Sequence, residues 1–262
     1  MAENKEEALN SLRYGWCGKI LKVDLSSEAI KEIDTQPYAE RFLGGRGIAT
    51  RLYWENVSAT AKAFDPENHL IFMTGPITAT GAQGASRFSI IGKSPMLMPE
   101  GFCYGNMGGY WGASLKRAGF DGLMVSGKAE RPVYLFISDG NATLEDASGI
   151  YLEGVKQVEE YLHQTHGKKT HFITTGPAGM NRCRNANLMT DNEGSATGGF
   201  GAVLGAKNLK AIAVIGTQSP RVSAPSALKE LNKLTIKLNK RDTSFNPYPP
   251  DQISRKGKAS CF

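Results

Sequence analysis

The chain has 262 residues, 40% of them hydrophobic, with 31 Lys and Arg against 25 Asp and Glu for a net charge of +6. That apolar share is enough for a buried core in one large or two small domains, and the chain reads as a soluble globular protein. No apolar run reaches the roughly 18 residues of a membrane span and MAENKEEALNSLRYGW lacks the apolar segment of a signal peptide, so a cytoplasmic location and no membrane partner are expected.

The basic residues are dispersed without a block of five or six like charges, which argues against a nucleic-acid partner. Cys17, Cys103, Cys183 and Cys261 show no CxxC pairing and encode neither a disulfide scaffold nor a complete local metal knot. The 30 glycines fall in pairs beside Pro, Ser and Thr, a pattern of tight turns and close backbone approaches.

In chain order, residues 1–13 form a polar tail. GWCGKILKVDLSSEAIKEID then alternates on both sides of Ser26 and Ser27, a hairpin pattern. Ile48, Leu52 and Tyr53 make a helical face after the glycines of LGGRG. HLIFMTGP is a buried strand ending at Gly75 and Pro76, and RFSIIGKSP is another, with Arg87 at its start. Gly108 and Gly109 precede a helix through Leu115 and Lys116, which Gly119 ends before the strand GLMVSG. PVYLFISDGNATLEDA is a hairpin turning at Asp139 and Gly140. Val155, Val158, Tyr161 and Leu162 mark a helix, HFITTGP a strand, and GGFGAVLGAKNLKAIAVIG a second glycine-pair, helix and strand run. SAPSALKELNKLTIKLNKR is an amphipathic helix, with Leu228, Leu231, Leu234 and Leu238 on one face.

The order strand, Thr-Gly-Pro, polar loop, glycine pair with aromatic, helix, strand occurs over 69–127 and again over 171–216. The two glycine-pair stretches align with one gap, and His69 and His171 read as equivalent strand entries. A duplicated strand-rich unit explains this, and hairpins mixed with helices give an α+β class: two related β-sheets about a pseudo-twofold axis, with a few helices. The domain reading is a tail over 1–13, one domain over 14–218, and a helix and linker over 219–262.

A glycine pair opening a helix lets backbone N–H groups approach a phosphate, but it serves tight helix–strand packing equally well. Neither GxGxxG with its strand and acid nor GxxxxGK[ST] is present. Arg87 could reach a phosphate bidentately, or simply be a surface strand arginine. Asn106 could offer a carbonyl to magnesium, or serve a turn. The four histidines form no HExxH and read as structural. Nothing resembles GxSxG, Cys-His or a paired-carboxylate segment, so no catalytic residue is assigned.

Taken together, GWCGKILKVDLSS, ERFLGGRGIATRLYWE, DPENHLIFMTGPITATGA, SRFSIIGKSP, GNMGGYWGASLKRAGFDGLMVSGKAERPVYLFI and GFGAVLGAKNLKAIAVIG resemble the N-terminal domain of the aldehyde ferredoxin oxidoreductase family, the tungsten-pterin enzymes. The resemblance runs over residues 14 to 220. It implies a domain of two related sheets beneath a bis-pterin cofactor, tungstopterin or molybdopterin. It also implies cofactor contacts from Arg87, Asn106 and Gly108, with the Asn106 carbonyl on a magnesium ion that links the pterin phosphates.

A second segment maps onto Glu193, Gly194, Ser195, Ala196 and Thr197, of which Gly194, Ala196 and Thr197 are the expected contacts. Many members carry Arg-Ala-Ala-Gly-Arg there, so Glu193 and Thr197 replace two cations and leave cofactor binding in question.

The family continues into helical domains with a CxxCxxxC motif and a distant cysteine for a [4Fe-4S] cluster, and it passes electrons to ferredoxin. Cys261 sits where a first cluster ligand would begin. The chain therefore reads as a truncated, split or interrupted piece whose partners are the missing C-terminal domains or a partner subunit, ferredoxin, and a second copy in a homo-oligomer. A genuine short paralogue with a free cysteine is the alternative. The expected function is the cofactor platform of an oxidoreductase converting aldehydes to carboxylic acids, inactive alone. The rivals are a non-catalytic binding or assembly module without the cofactor and a nucleotide binder using the glycine turns.

Overall fold

A computed structural model describes residues 14–191 and 194–241. The first half holds the hairpin β1 (Lys19–Asp24) and β2 (Ala29–Asp34), the helices α1 (Gln36–Phe42) and α2 (Gly45–Asn56), strands β3 (Leu70–Met73), β4 (Phe88–Ser94) and β5 (Gly101–Met107), helix α3 (Trp111–Arg117) and β6 (Gly122–Ser126). The second holds the hairpin β7 (Val133–Ser138) and β8 (Asn141–Asp146), α4 (Val155–His166), β9 (His171–Thr174), α5 (Pro177–Met180), β10 (Leu188–Thr190), β11 (Ser195–Ala196), α6 (Phe200–Ala206) and β12 (Leu209–Ile215). Helix α7 (Pro225–Arg241) follows.

The sheets have orders β2-β1-β6-β3-β4-β5 and β8-β7-β12-β9-β10-β11, the same arrangement built twice. Each hairpin pairs in parallel with the last strand of its own half, β1 with β6 and β7 with β12, and every other neighbour is antiparallel. The duplication is thus wider than the echo in the sequence, because it includes both hairpins. The second hairpin turns at Asp139 and Gly140, with φ of 38° and 90°, the positive values a two-residue hairpin turn requires.

Two details of the repeat differ from the sequence reading. The glycine-pair stretches align without a gap once the helix caps are matched: Tyr110 caps α3 and Gly199 caps α6, so Gly109 (φ 94°) corresponds to Gly198 (φ 93°). The alignment then sets Gly119 against Asn208, both in positive φ, and Asp121 against Lys210. The histidines are not equivalent either. Leu70 pairs with Val125 on β6 and His171 pairs with the corresponding Val214 on β12, which makes Leu70 the counterpart of His171.

The core lies between the sheets, with α3 and α6 buried in it. Trp111 packs its indole at 5.5 Å from Phe72 and 5.0 Å from Phe88 of the first sheet while its Nε1 donates to Ile212 O of the second at 3.0 Å. The outer face of the first sheet is covered by Ile48, Leu52 and Tyr53, and that of the second by Val158 and Leu162, as their helical spacing predicts.

Among the described residues three lysines are buried. Lys207 Nζ donates to Pro66 O and Gly127 O, Lys210 Nζ to Glu153 O and Thr175 O, and Lys116 Nζ to Gly75 O. Lys116 and Lys210 thereby hold the two Thr-Gly-Pro turns, from positions that do not correspond in the repeat. Burial lowers Lys207 to about 7 and Lys210 to about 8, and it raises Cys17, Tyr53 and Tyr134 to about 12.

The two lysines bind fewer protons folded than unfolded above their folded values, so they make stability rise with pH until the unfolded lysines also deprotonate. The thiol and phenols keep their protons only when folded, so they make it fall once the unfolded groups ionise. Thermal stability should therefore rise from about pH 7 to about pH 9 and fall above about pH 10.5. Scanning calorimetry at fixed ionic strength checks this, and Lys207→Met should flatten the rising limb.

Candidate functional site

The expected residues converge where the edge strand of one sheet passes that of the other. Arg87 directly precedes β4, and β5 lies beside β4 with Ser89 opposite Asn106. Arg87 Nη2 donates to Asn106 O at 3.2 Å, and Ser89 Oγ lies 3.2 Å from Asn106 Oδ1. β5 alternates as a half-buried strand does: Phe102, Tyr104 and Asn106 face outward, while Cys103, Gly105 and Met107 face the second sheet. The Arg46 guanidinium, from the first turn of α2, sits 4.5 Å over the Tyr104 ring. Gly45 N donates to Thr74 O, which brings the opening turn of α2 against the end of β3 and beside Ser89 Oγ.

The second half supplies Gly194. Its N–H donates to Thr190 Oγ1 at 3.0 Å, and its carbonyl accepts from Thr190 N at 2.8 Å. A Cβ at Gly194 would lie 2.7 Å from Thr190 Oγ1 and 3.0 Å from Gly108 O, so only glycine lets the two backbones approach this closely. Gly108 in turn lies beside Arg87 Nη1, and Gly105 packs against the Ala196 side chain and Thr197 O.

Arg87, Asn106, Gly108 and Gly194 therefore meet in one place. Ala196 is buried and packs the seam from within, while Thr197 is exposed beside it. Glu193 and Cys261 lie outside the described residues.

Asn106 is on a strand, so a turn does not explain it. Its carbonyl accepts from Arg87 Nη2, and the guanidinium keeps further donors. The site can hold a bound anion through Arg87 and backbone N–H groups, and a hard cation through carbonyl oxygen. Among the described residues no three His, Cys, Asp or Glu side chains converge as metal ligands.

The glycine turns divide between their two readings. A Cβ at Gly199 would lie 2.3 Å from Arg184 O, and one at Gly198 would meet the Phe200 ring and Cys103 Sγ, so the turn before α6 is a packing turn. Gly108, beside Arg87, belongs to the site. His69 is buried and held down to about 4, chiefly by burial, as a structural histidine would be. Ser89, Thr190, Tyr104 and Arg46 were not singled out in the sequence. Ser89 was legible two positions from Arg87 on the same strand face, and the Phe102, Tyr104, Asn106 alternation has period two, but cross-strand pairing has no local signal.

A family model described as "Aldehyde ferredoxin oxidoreductase, N-terminal domain" matches residues 20–216. The tungsten-containing aldehyde ferredoxin oxidoreductase of Pyrococcus horikoshii is 39% identical over 233 residues, covering 87% of this chain and 38% of the relative. An aliphatic sulfonate oxidoreductase, WOR-like subunit, of Pyrococcus furiosus is 34% identical over 222 residues, covering 78% of this chain and 35% of the relative. Among solved structures, the active site complex BamBC of benzoyl coenzyme A reductase, in complex with 1,5 dienoyl-CoA, is similar with a TM-score of 0.83 and 30% identity, covering 90% of this chain and 37% of that one. The chain thus spans little more than a third of the length of these relatives.

Proposed function

The chain belongs to the aldehyde ferredoxin oxidoreductase family, and from that membership we propose that it is the cofactor platform of a tungsten- or molybdenum-pterin oxidoreductase. The observation that carries this is the meeting of Arg87, Asn106, Gly108 and Gly194 across the seam between the two halves.

The residues present fit such a group on its phosphate side. Arg87 supplies a guanidinium for an anion, the Asn106 carbonyl, which here accepts from Arg87, is the oxygen that would turn to magnesium, and the contact of Gly194 with Gly108 O is a cradle that any Cβ would fill. When bound, the metal-pterin would supply the oxidation–reduction chemistry. The chain's own residues bind and orient: Arg87 counters phosphate charge, Ser89 fixes the Asn106 side chain and so the strand that presents its carbonyl, and Gly194 keeps the two halves in register.

The relatives act on chemically different substrates under their printed names, from aldehydes to sulfonates, while sharing this domain. That supports a platform that does not select the substrate. Aldehyde oxidation to carboxylic acid, with electrons leaving through a [4Fe-4S] cluster to ferredoxin, would require domains beyond the residues described, so isolated residues 1–262 should lack aldehyde turnover.

The test is the metal and pterin content of the chain, expressed with tungstate and molybdate and assembled with the C-terminal portion of a relative. The expected result is two pterins per metal. Arg87→Ala should lower occupancy about tenfold while leaving the melting temperature within about 2 °C, because Arg87 is exposed. An assembled but pterin-free wild type would favour the second reading, a scaffold that keeps the fold without the cofactor. Thr197, a neutral exposed residue where many members carry arginine, is the observation in favour of that reading.

A further inference from the structure

The seam between the halves also holds a polar pair, His171 and Asp191. His171 opens β9, two residues before Ile173 of the core between the sheets, so strand alternation puts both side chains on the face turned toward the first half. His171 Nδ1 lies 2.5 Å from Asp191 Oδ2, and Asp191 follows Thr190, whose hydroxyl accepts from Gly194 N. The His171 ring is 5.4 Å from that of Tyr110, the aromatic of the first glycine-pair stretch. Tyr110 is two residues, at most about 7 Å of backbone, beyond Gly108. His171 therefore stands at the same seam as Arg87, on the side that the second half supplies.

The pair is arranged as a ligand-binding histidine would be. The Asp191 side chain is 8% exposed, and among the described residues its Oδ1 has no hydrogen-bond partner. A buried carboxylate is costly unless paired, and the imidazole is what this one meets. Asp191 only accepts, so Nδ1 carries a proton, which fixes the ring and leaves Nε2 for a ligand. The ring is 26% exposed, and Nε2 has no hydrogen-bond partner among the described residues. By contrast His163 Nε2 is engaged with Thr170 O and His166 Nε2 with Tyr134 Oη, and His69 is buried.

The fold does not demand the pair. The counterpart of His171 in the first half is the buried Leu70, and that of Tyr110 in the second is Gly199. Charge says what the histidine suits. Arg87 brings a guanidinium from the first half, whereas Gly194, Ala196 and Thr197 bring no cationic side chain from the second. Two phosphates lying over the seam would otherwise be countered on one side alone.

We propose that His171, positioned by Asp191 and lying beside Tyr110, is the phosphate-binding residue of the second half, donating from Nε2 to one member of a phosphate pair that Arg87 also contacts. Between that anion and Asp191 the ring donates from both nitrogens, as imidazolium. The proposal rests on the platform reading and adds the cation that the second half contributes to it.

The test uses the full 262-residue chain with isotope-labelled histidine rings, followed by nuclear magnetic resonance, and magnesium pyrophosphate as the probe. Pyrophosphate should shift the His171 ring signals, identified by their absence from His171→Gln, and leave those of His163 and His166 in place. Calorimetry should give an affinity about tenfold weaker for His171→Gln, about fivefold weaker for Asp191→Asn, and within about threefold of wild type for His171→Lys, which keeps a cation there. Arg87→Ala should raise about tenfold the pyrophosphate concentration at which the His171 signals move, since one ligand reaches both groups.

His171 signals that pyrophosphate does not move would overturn the proposal. So would variants at 171 and 191 that lose melting temperature but bind pyrophosphate as wild type, the mark of a histidine that only packs. Signals that move at the same concentration in Arg87→Ala would overturn it too, because they put the two groups in separate sites. Metal and pterin content of the assembled complexes keeps the two readings apart. A pterin-free wild type whose His171 still answers pyrophosphate removes only the platform, and a fully loaded His171→Gln with unchanged pyrophosphate affinity removes only the histidine.

Discussion

Asp121→Ala is expected to cost about 4 kcal/mol of stability and about 10 °C in melting temperature, the largest loss from any single carboxylate in the fold. Asp121 and Lys116 are both fully buried, with Nζ 3.3 Å from Oδ1. The same carboxylate accepts Cys17 N at 2.9 Å and Gly18 N at 2.8 Å, so its removal strands one buried ammonium and two backbone donors at once. An unpaired buried charge costs far more than an exposed ion pair contributes.

The loss should also reach the candidate site. Lys116 donates to Gly75 O and lies 4.3 Å over the Trp16 ring, and that ring packs against Gly44, next to the turn that opens α2 beside Ser89. Lys116→Met in the Asp121→Ala background should recover about 2 kcal/mol, because it removes the stranded charge. Urea titration of the four proteins checks the cycle. Strictly additive losses would show that the pair is not coupled.

Much of this architecture was legible because its signals are local. The period-two hairpin around Ser26 and Ser27, the Asp139–Gly140 turn and the Val158–Leu162 helical face each follow from neighbouring residues, and all appear in the structure. The repeat was legible at its glycines but misregistered. A gap was needed because glycine pairs were matched to each other, whereas the backbone matches Tyr110 to Gly199 at the helix cap. The His69 and His171 equivalence failed for the same kind of reason, since register is set by the partner strand and a slip of one residue leaves the local pattern intact.

The site residues were individually legible by resemblance, but what joins them was not. The contact of Gly194 with Gly108 O spans 86 positions and depends on two edge strands meeting. Short strands such as Ser195–Ala196 carry too few residues for a periodic signal.

The divergence of the two halves leads to the second large effect, Gly205→Ala. Within an ordinary helix this change stabilises by roughly 1 kcal/mol. Here a net loss of about 3 kcal/mol and about 8 °C is expected. A Cβ at Gly205 would lie 2.0 Å from Gly179 O, 2.6 Å from Gly179 C and 2.9 Å from Met180 Cα, all of them backbone atoms of α5. Helix α5 cannot simply retreat, because Gly179 is itself confined between Thr175 Oγ1 and Gly201 O, and Thr175 is tied to Asn187 O through its hydroxyl and to Lys210 through its carbonyl.

The equivalent position in the first half is Lys116, whose Nζ reaches the turn carbonyl Gly75 O, whereas in the second half the backbone of α5 lies against Gly205. With no room for a lysine at 205, the second turn takes its ammonium from Lys210, at the position that holds Asp121 in the first. The two halves thus reach the same end, a buried cation on a turn carbonyl, by exchanging which element carries it. Gly149→Ala, where a Cβ would meet nothing within 4 Å, is the control and should move the melting temperature by less than about 2 °C. Thermal unfolding of both variants decides the matter, and a Gly205→Ala protein as stable as the control would show that α5 and α6 are not in backbone contact.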